Sequence, residues 1–248
     1  STNALNLSQN ITASSILART TGAASDITIA ATRSLTASGA GNAITLASGR
    51  NFINNSGLGT ATLNTTGGGR YLVYSVQPSS DTLGGLARDF RRFSCSYAGV
   101  GTCAFNATIN NTVTIPAAGN GFIYSSTPST LTLTISSIGN VTYGDSVNLT
   151  NIAVDPTTLG QYLNAADFAA DVITGSINGS TTYVPGPTNG GVGTYHINYA
   201  SGTLISELGY NILYANNPTA FTVVPRAVTV SLIGTASKVY DQNIAATL

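Results

Sequence analysis

The chain has no methionine and no tryptophan, a single lysine and a single histidine, and only 7% of its 248 residues are charged. Each scarcity excludes a class of function. Formal net charge is zero, so the basic footprint that meets nucleic-acid phosphates is missing. No polybasic run offers itself to a membrane surface. A zinc site needs three or four ligands, and no His/Cys cluster supplies them. His196 lies in TYHINY, an alternating stretch, and reads as a structural or surface side chain. A Ser–His–Asp triad would have to recruit that same histidine, and neither G-x-S-x-G nor G-x-x-x-x-G-K-[ST] occurs. No apolar run reaches the length of a membrane-spanning helix. The opening STNALNLSQN lacks the charged and apolar regions of a signal peptide. A chain without Met cannot begin at its own start codon, so an internal or processed piece of a longer protein is expected.

What is abundant points to β-structure. Thr, Val, Ile and Tyr recur in short runs, and 42% of residues are hydrophobic, which separates the chain from polar, highly charged disordered sequences. Residues 1–70 repeat loosely: SDITIAATRSLTASGAG (25–41) precedes NAITLASGRNFINNSG (42–57), and NALNLSQNITASS (3–15) echoes both. A shift of 17 sets Ile27 on Ile44, Ile29 on Leu46, Arg33 on Arg50 and Leu35 on Phe52. A period near that length with two short strands per unit is expected of a solenoid, whose coils bury together what none buries alone. The expectation is the last coils of a right-handed parallel β-helix.

Residues 71–128 break the period and are expected to form a cap or junction. YLVYSV (71–76) reads as a strand and QPSSDTLGGLARDF as loop and turn. From 129 to 225 alternation is clean. TLTLTISSIGNVTYGD places Leu131, Leu133 and Ile135 on one face, and TTYVP, GTYHINYA and TAFTVVP read as further strands of an all-β sandwich. NAADFAADV (164–172) is the one candidate helical turn, with Asn164 at its N-cap. AVTVSLIGTASKVYD (227–241) repeats the start of this unit: Val228 falls on Leu131 and Tyr240 on Tyr143, both 97 residues apart. Residues 226–248 are therefore expected to open a further, truncated module.

Asp167 with Asp171, and Asp81 with Asp89, are acids that a glycosidase would use; Asp167 with Asp171 would also suit Ca²⁺, but a single pair supplies too few oxygens. Within residues 1–70 Asp26 is the only acid. No catalytic, cofactor-binding or metal-binding residue is assigned. Nine N-x-[ST] sequons, among them Asn10, Asn64, Asn106, Asn148 and Asn178, follow from composition. Cys95 and Cys103 are the only cysteines. They suggest one disulfide and an oxidising compartment, two free thiols or a metal site being the alternatives. Immediately before them, Arg88, Asp89, Phe90, Arg91, Arg92 and Phe93 concentrate charge in an otherwise bland chain. This cluster reads either as a basic patch for acidic polysaccharide or as local pairing of Asp89 with a neighbouring Arg over core-anchored Phe90 and Phe93. The favoured expectation is that the disulfide-closed loop caps the last coil and fixes the passage into the sandwich.

The order of these parts resembles the filamentous-haemagglutinin-like adhesins of two-partner secretion systems in Gram-negative bacteria. GRNFINNSG followed by RYLVYSVQPSSDTLGGLARDF is similar to that family's end-of-helix segment. VTYGD, GTYHINYA and YNILYANNPTAFTVVPR resemble the MBG module, a bacterial Ig-like sandwich. KVYDQNIAATL resembles the opening of a YDG-type repeat, with Gln242 in place of its glycine. The resemblance implies a secreted, cell-surface filament engaged in adhesion, aggregation or biofilm, without enzymatic activity or cofactor. Its implied partners are host or bacterial surface glycans and matrix polysaccharide, identical chains in fibre contacts, and an outer-membrane secretion partner for the full-length protein. The competing expectations are the shaft of a contact-dependent inhibition toxin and a β-helical polysaccharide-degrading enzyme.

Overall fold

A computed structural model describes residues 1–128, 130–155, 169, 171–186, 190–231 and 233–234. Among them the chain is almost entirely β. Its first part makes repeated circuits of three strands. The first circuit has β1 (Leu5–Leu7), β2 (Ile11–Ala13) and β3 (Ile16–Arg19); the second has β4 (Ile27–Ile29), β5 (Leu35–Ala37) and β6 (Gly41–Ala47); the third has β7 (Phe52–Asn54), β8 (Leu63–Thr65) and β9 (Gly69–Ser75). Equivalent strands pair in parallel, giving the sheets β1-β4-β7 and β2-β5-β8 and placing β3, β6 and β9 side by side in a third.

Register shows the true repeat. Leu5 faces Ile27, which faces Phe52; Ile11 faces Leu35, which faces Leu63; Ile16 faces Ile44, which faces Tyr71. The chain thus advances 22 to 28 residues per circuit. This corrects the 17-residue alignment and its two strands per unit: Ile27 and Ile44 lie in different sheets, as do Leu35 and Phe52. The cause is physical. Every strand needs the same apolar-x-apolar triplet to point two side chains inward, so strands within one circuit look as alike as strands stacked between circuits. Ile27, Ile29, Leu35, Ile44, Leu46 and Phe52 are wholly inaccessible and form the interior. Truncating one such leucine to alanine costs about 2–5 kcal/mol.

The corner after β7 explains the run NNSG. Asn54 donates to the Thr62 hydroxyl and to the Leu83 carbonyl, and accepts from the Ser56 amide. Ser56 and Thr62 share a hydrogen bond of 2.6 Å. All three are buried, so the network satisfies polar groups that would otherwise be costly inside the protein.

After β9 the chain leaves the regular circuit. Thr82 bridges Ile53 in parallel. Then β10 (Phe90–Arg92) forms, followed by the antiparallel hairpin β11 (Tyr97–Gly99) and β12 (Thr102–Cys103), and β13 (Gly121–Tyr124). Strand β13 inserts between β9 and β10, completing a five-stranded parallel sheet of order β10-β13-β9-β6-β3.

The second part comprises β14 (Leu131–Ile135), β15 (Gly139–Thr142), β16 (Val154–Asp155), β17 (Ile173–Thr174), β18 (Ile177–Ser180), β19 (Gly193–Gly202), β20 (Ile205–Ser206), β21 (Ile212–Ala215) and β22 (Asn217–Val224). They form sheets of order β16-β14-β21 and β15-β22-β19-β18, with β17-β20 as a small antiparallel pair. Leu131, Leu133 and Ile135 are buried on one face as their alternation requires. TTYVP is not a strand. Tyr183 is nevertheless buried, its hydroxyl donating to the Asp145 carbonyl at 3.0 Å and its ring packing on Tyr195 and Phe221. Asn164, Asp167 and most of the expected helical turn, together with residues 235–248 and their YDG-like motif, lie outside the described residues.

Candidate functional site

The charged segment and the cysteines mark the place where the two parts meet. Strand β10 is the outer strand of the five-stranded sheet, and burial deepens along it towards its C-terminal end. Arg88 and Asp89 are exposed, Phe90 and Arg91 half-buried, and Arg92 and Phe93 buried. Asp89 accepts a hydrogen bond from the Asn120 amide at 2.6 Å, tying β10 to the approach of β13. The Phe90 ring has the guanidinium of Arg70 at 5.8 Å and that of Arg92 at 5.6 Å from its centre. These are cation–π distances.

Phe93 is the anchor. It is 1% exposed, stacks on Tyr124 at 5.4 Å and meets the edge of Tyr210 at 5.7 Å. Its amide donates to the Leu208 carbonyl at 2.6 Å, and the Ser94 hydroxyl donates to the Gly209 carbonyl at 2.6 Å. The turn at residues 206–210 from the second part therefore seats directly on the end of β10. Leu208, Tyr210 and Leu131 join the same buried cluster as Ile44, Phe52 and Phe122 of the first part, so one core runs across the junction.

Electrostatics reinforce the seat. Arg92 is 8% exposed; it donates to the Thr114 and Arg91 carbonyls and has Glu207 at 4.0 Å. Burial pulls its pKa down, opposed by the negative charges of Glu207 and Asp171. Asp171 accepts from the Ser206 hydroxyl at 2.9 and 2.7 Å and from the Leu208 amide at 3.1 Å, which holds the turn in its docking shape. A carboxylate engaged in this way is a structural brace.

Cys95 and Cys103 are joined in a disulfide with Cα atoms 4.9 Å apart. The charged strand β10 and its neighbour β13 continue the sheet past the last circuit, whereas the disulfide lies apart from that edge. Both cysteines pack with Ala47, Leu72, Tyr74 and Ile123, the outward-facing residues of the five-stranded sheet. The hairpin it closes therefore covers the flank of the sheet, where Tyr97 meets Tyr74 edge-on at 5.0 Å and lies 4.8 Å from the Arg19 guanidinium of β3. Tyr74 is pushed up to about 12 by burial beneath this loop. The seat for the second part is formed by Arg92, Phe93 and Ser94 of the charged segment.

Two of the acids named from the sequence take structural partners that it did not indicate. Asp81 accepts from the Ser75 hydroxyl and the Phe52 amide, at 2.6 and 2.8 Å, and burial raises its pKa to about 6. Asp26, by contrast, is held below the usual carboxylate range by Arg50, which donates to it through two nitrogens at 2.8 and 2.6 Å. His196 is exposed on β19 with its Nδ1 2.7 Å from the Pro218 carbonyl. Among the described residues no group of three or more His, Cys, Asp or Glu is placed to hold a metal, and no helix is long and apolar enough to cross a membrane. No protein-family model, curated protein or solved structure matches the chain.

Proposed function

We propose that this chain is a non-enzymatic segment of a secreted fibrous adhesin, a stalk at the surface of a Gram-negative bacterium that serves attachment, aggregation or biofilm cohesion. On this reading the first part is the end of a right-handed parallel β-helix, the second an Ig-like sandwich of MBG type, and residues 226–248 the start of a further module. The observation that carries it is the continuous core through Phe93, Leu131 and Tyr210. Stacked parallel circuits that pass into a two-sheet unit without a break in packing give a stiff element, and stiffness is what a stalk must supply. The disulfide is consistent with an oxidising, extracytoplasmic setting. The partners on this reading are surface glycans or matrix polysaccharide, identical chains in the fibre, and an outer-membrane secretion partner for the full-length protein.

The test is attachment and clumping of cells carrying or lacking the gene, with the gene restored on a plasmid. Loss on deletion and recovery on restoration are expected. Unchanged attachment in the deletion strain would refute the adhesive role.

A further inference from the structure

The docking of the two parts creates a cleft of about 420 Å³ between residues 108–111, which connect β12 to β13, and the 199–214 region of the second part. Its volume lies in the range of small-ligand sites. One wall is a stack of two tyrosines: the rings of Tyr199 and Tyr214 are 4.0 Å apart and within 4° of parallel. Tyr199 comes from β19 and Tyr214 from β21, which belong to different sheets. The pair therefore bridges the sandwich at the cleft, and Tyr199 stays 36% exposed. Asn110, Asn111, Asn211 and the buried Tyr210 also line it. The described lining holds no carboxylate, ammonium or guanidinium.

We infer that this cleft binds a short neutral saccharide. A sugar presents an apolar C–H face and a rim of hydroxyls. An exposed, pre-stacked tyrosine offers a flat apolar surface at little entropic cost, and amide side chains both donate and accept. The lack of a cation in the lining disfavours uronate or sialylated ligands, whose carboxylate would be desolvated without a partner. The cleft stands on its own geometry; only its biological setting rests on the adhesive reading.

Asn110 occupies a left-handed backbone position, φ +49°, so Asn110→Gly removes its side chain without strain. The experiment titrates the purified full chain with a panel of neutral di- and trisaccharides of hexoses and N-acetylhexosamines, beside uronate-containing ones of equal length, by calorimetry and saturation-transfer NMR. Saturable binding of a neutral member is expected. Tyr199→Ala should weaken it about tenfold or more, Tyr199→Phe should keep it within about threefold, and Asn110→Gly should weaken it with an unchanged melting temperature. Binding of uronates alone, binding of none of the panel, or equal binding by wild type and Tyr199→Ala would overturn the assignment. Deletion of the gene separates the two claims. Attachment lost on deletion without neutral-sugar binding by the chain removes the cleft and leaves the stalk. Neutral-sugar binding with unchanged attachment removes the adhesive role and leaves the cleft.

Discussion

Gly209 is where the seat between the two parts is most vulnerable. Its φ is +94°, and a Cβ placed on it would lie 2.2 Å from the Phe93 carbonyl oxygen and 2.8 Å from that carbonyl carbon. Both contacts are with backbone, which cannot rotate away. Gly209→Ala must therefore strain the turn or lift it off β10. The left-handed backbone alone costs about 1–2 kcal/mol for a residue with a Cβ. Lifting the turn also removes the Phe93–Leu208 and Ser94–Gly209 hydrogen bonds, each worth about 0.5–1.5 kcal/mol net. Together these reach roughly 2–5 kcal/mol, a large share of a typical domain's stability. The assay is thermal unfolding followed by tyrosine near-UV dichroism, undisturbed because tryptophan is absent, with limited proteolysis in parallel. The variant should melt well below wild type and be cleaved first near residues 125–130, between the parts. An unchanged melting temperature with an unchanged cleavage pattern would refute the docked junction.

Replacing both cysteines with serine should lower stability by about 2–3 kcal/mol from loop closure while far-UV dichroism stays the same; an unaltered melting point would show that the loop needs no staple. Asp81→Asn should stabilise the protein at neutral pH. The native pKa of Asp81 near 6 exceeds the ordinary 3.8, so the native state holds a proton that the unfolded chain has lost, and the acid's contribution falls as pH rises from about 4 to 6. Two units correspond to about 3 kcal/mol at most, reduced by residual contact with water. The gain should vanish near pH 4, and a gain that persists there would exclude the titration. Ending the chain after Arg226, which pairs with Asp145 and donates to the Tyr143 carbonyl, should leave the melting temperature unchanged. Val228, Val230 and Ile233 are 79 to 96% exposed, and a fall in stability would mean that they contribute packing.

Alternation carried much of the fold in the sequence. Leu131, Leu133 and Ile135 announce a half-buried strand because side chains on a strand alternate faces, whereas β9 is buried on both faces and shows as a continuous apolar run. The circuit length did not show, since each strand carries the same short signature and loops of unequal length blur the repeat. The charged segment was conspicuous by composition, yet its partner was not. Ser94 and Gly209 lie 115 residues apart, and SELGYN looks like any polar turn until Phe93 is placed against it. Asp81 was visible as an acid beside Asp89, but its partners were not. It stands in a stretch that reads as loop, and only the fold brings the Phe52 amide and Ser75 hydroxyl to it. The stacked pair of Tyr199 and Tyr214 joins two sheets, which no local pattern encodes.

The most direct test of the stalk is immunogold electron microscopy of intact cells, using antibody raised against residues 130–226, beside a strain lacking the gene. Gold arrayed along filaments that leave the cell surface, and absent from the deletion strain, is the predicted result. Gold confined to the cell interior, seen only after the cells are opened, would contradict the account.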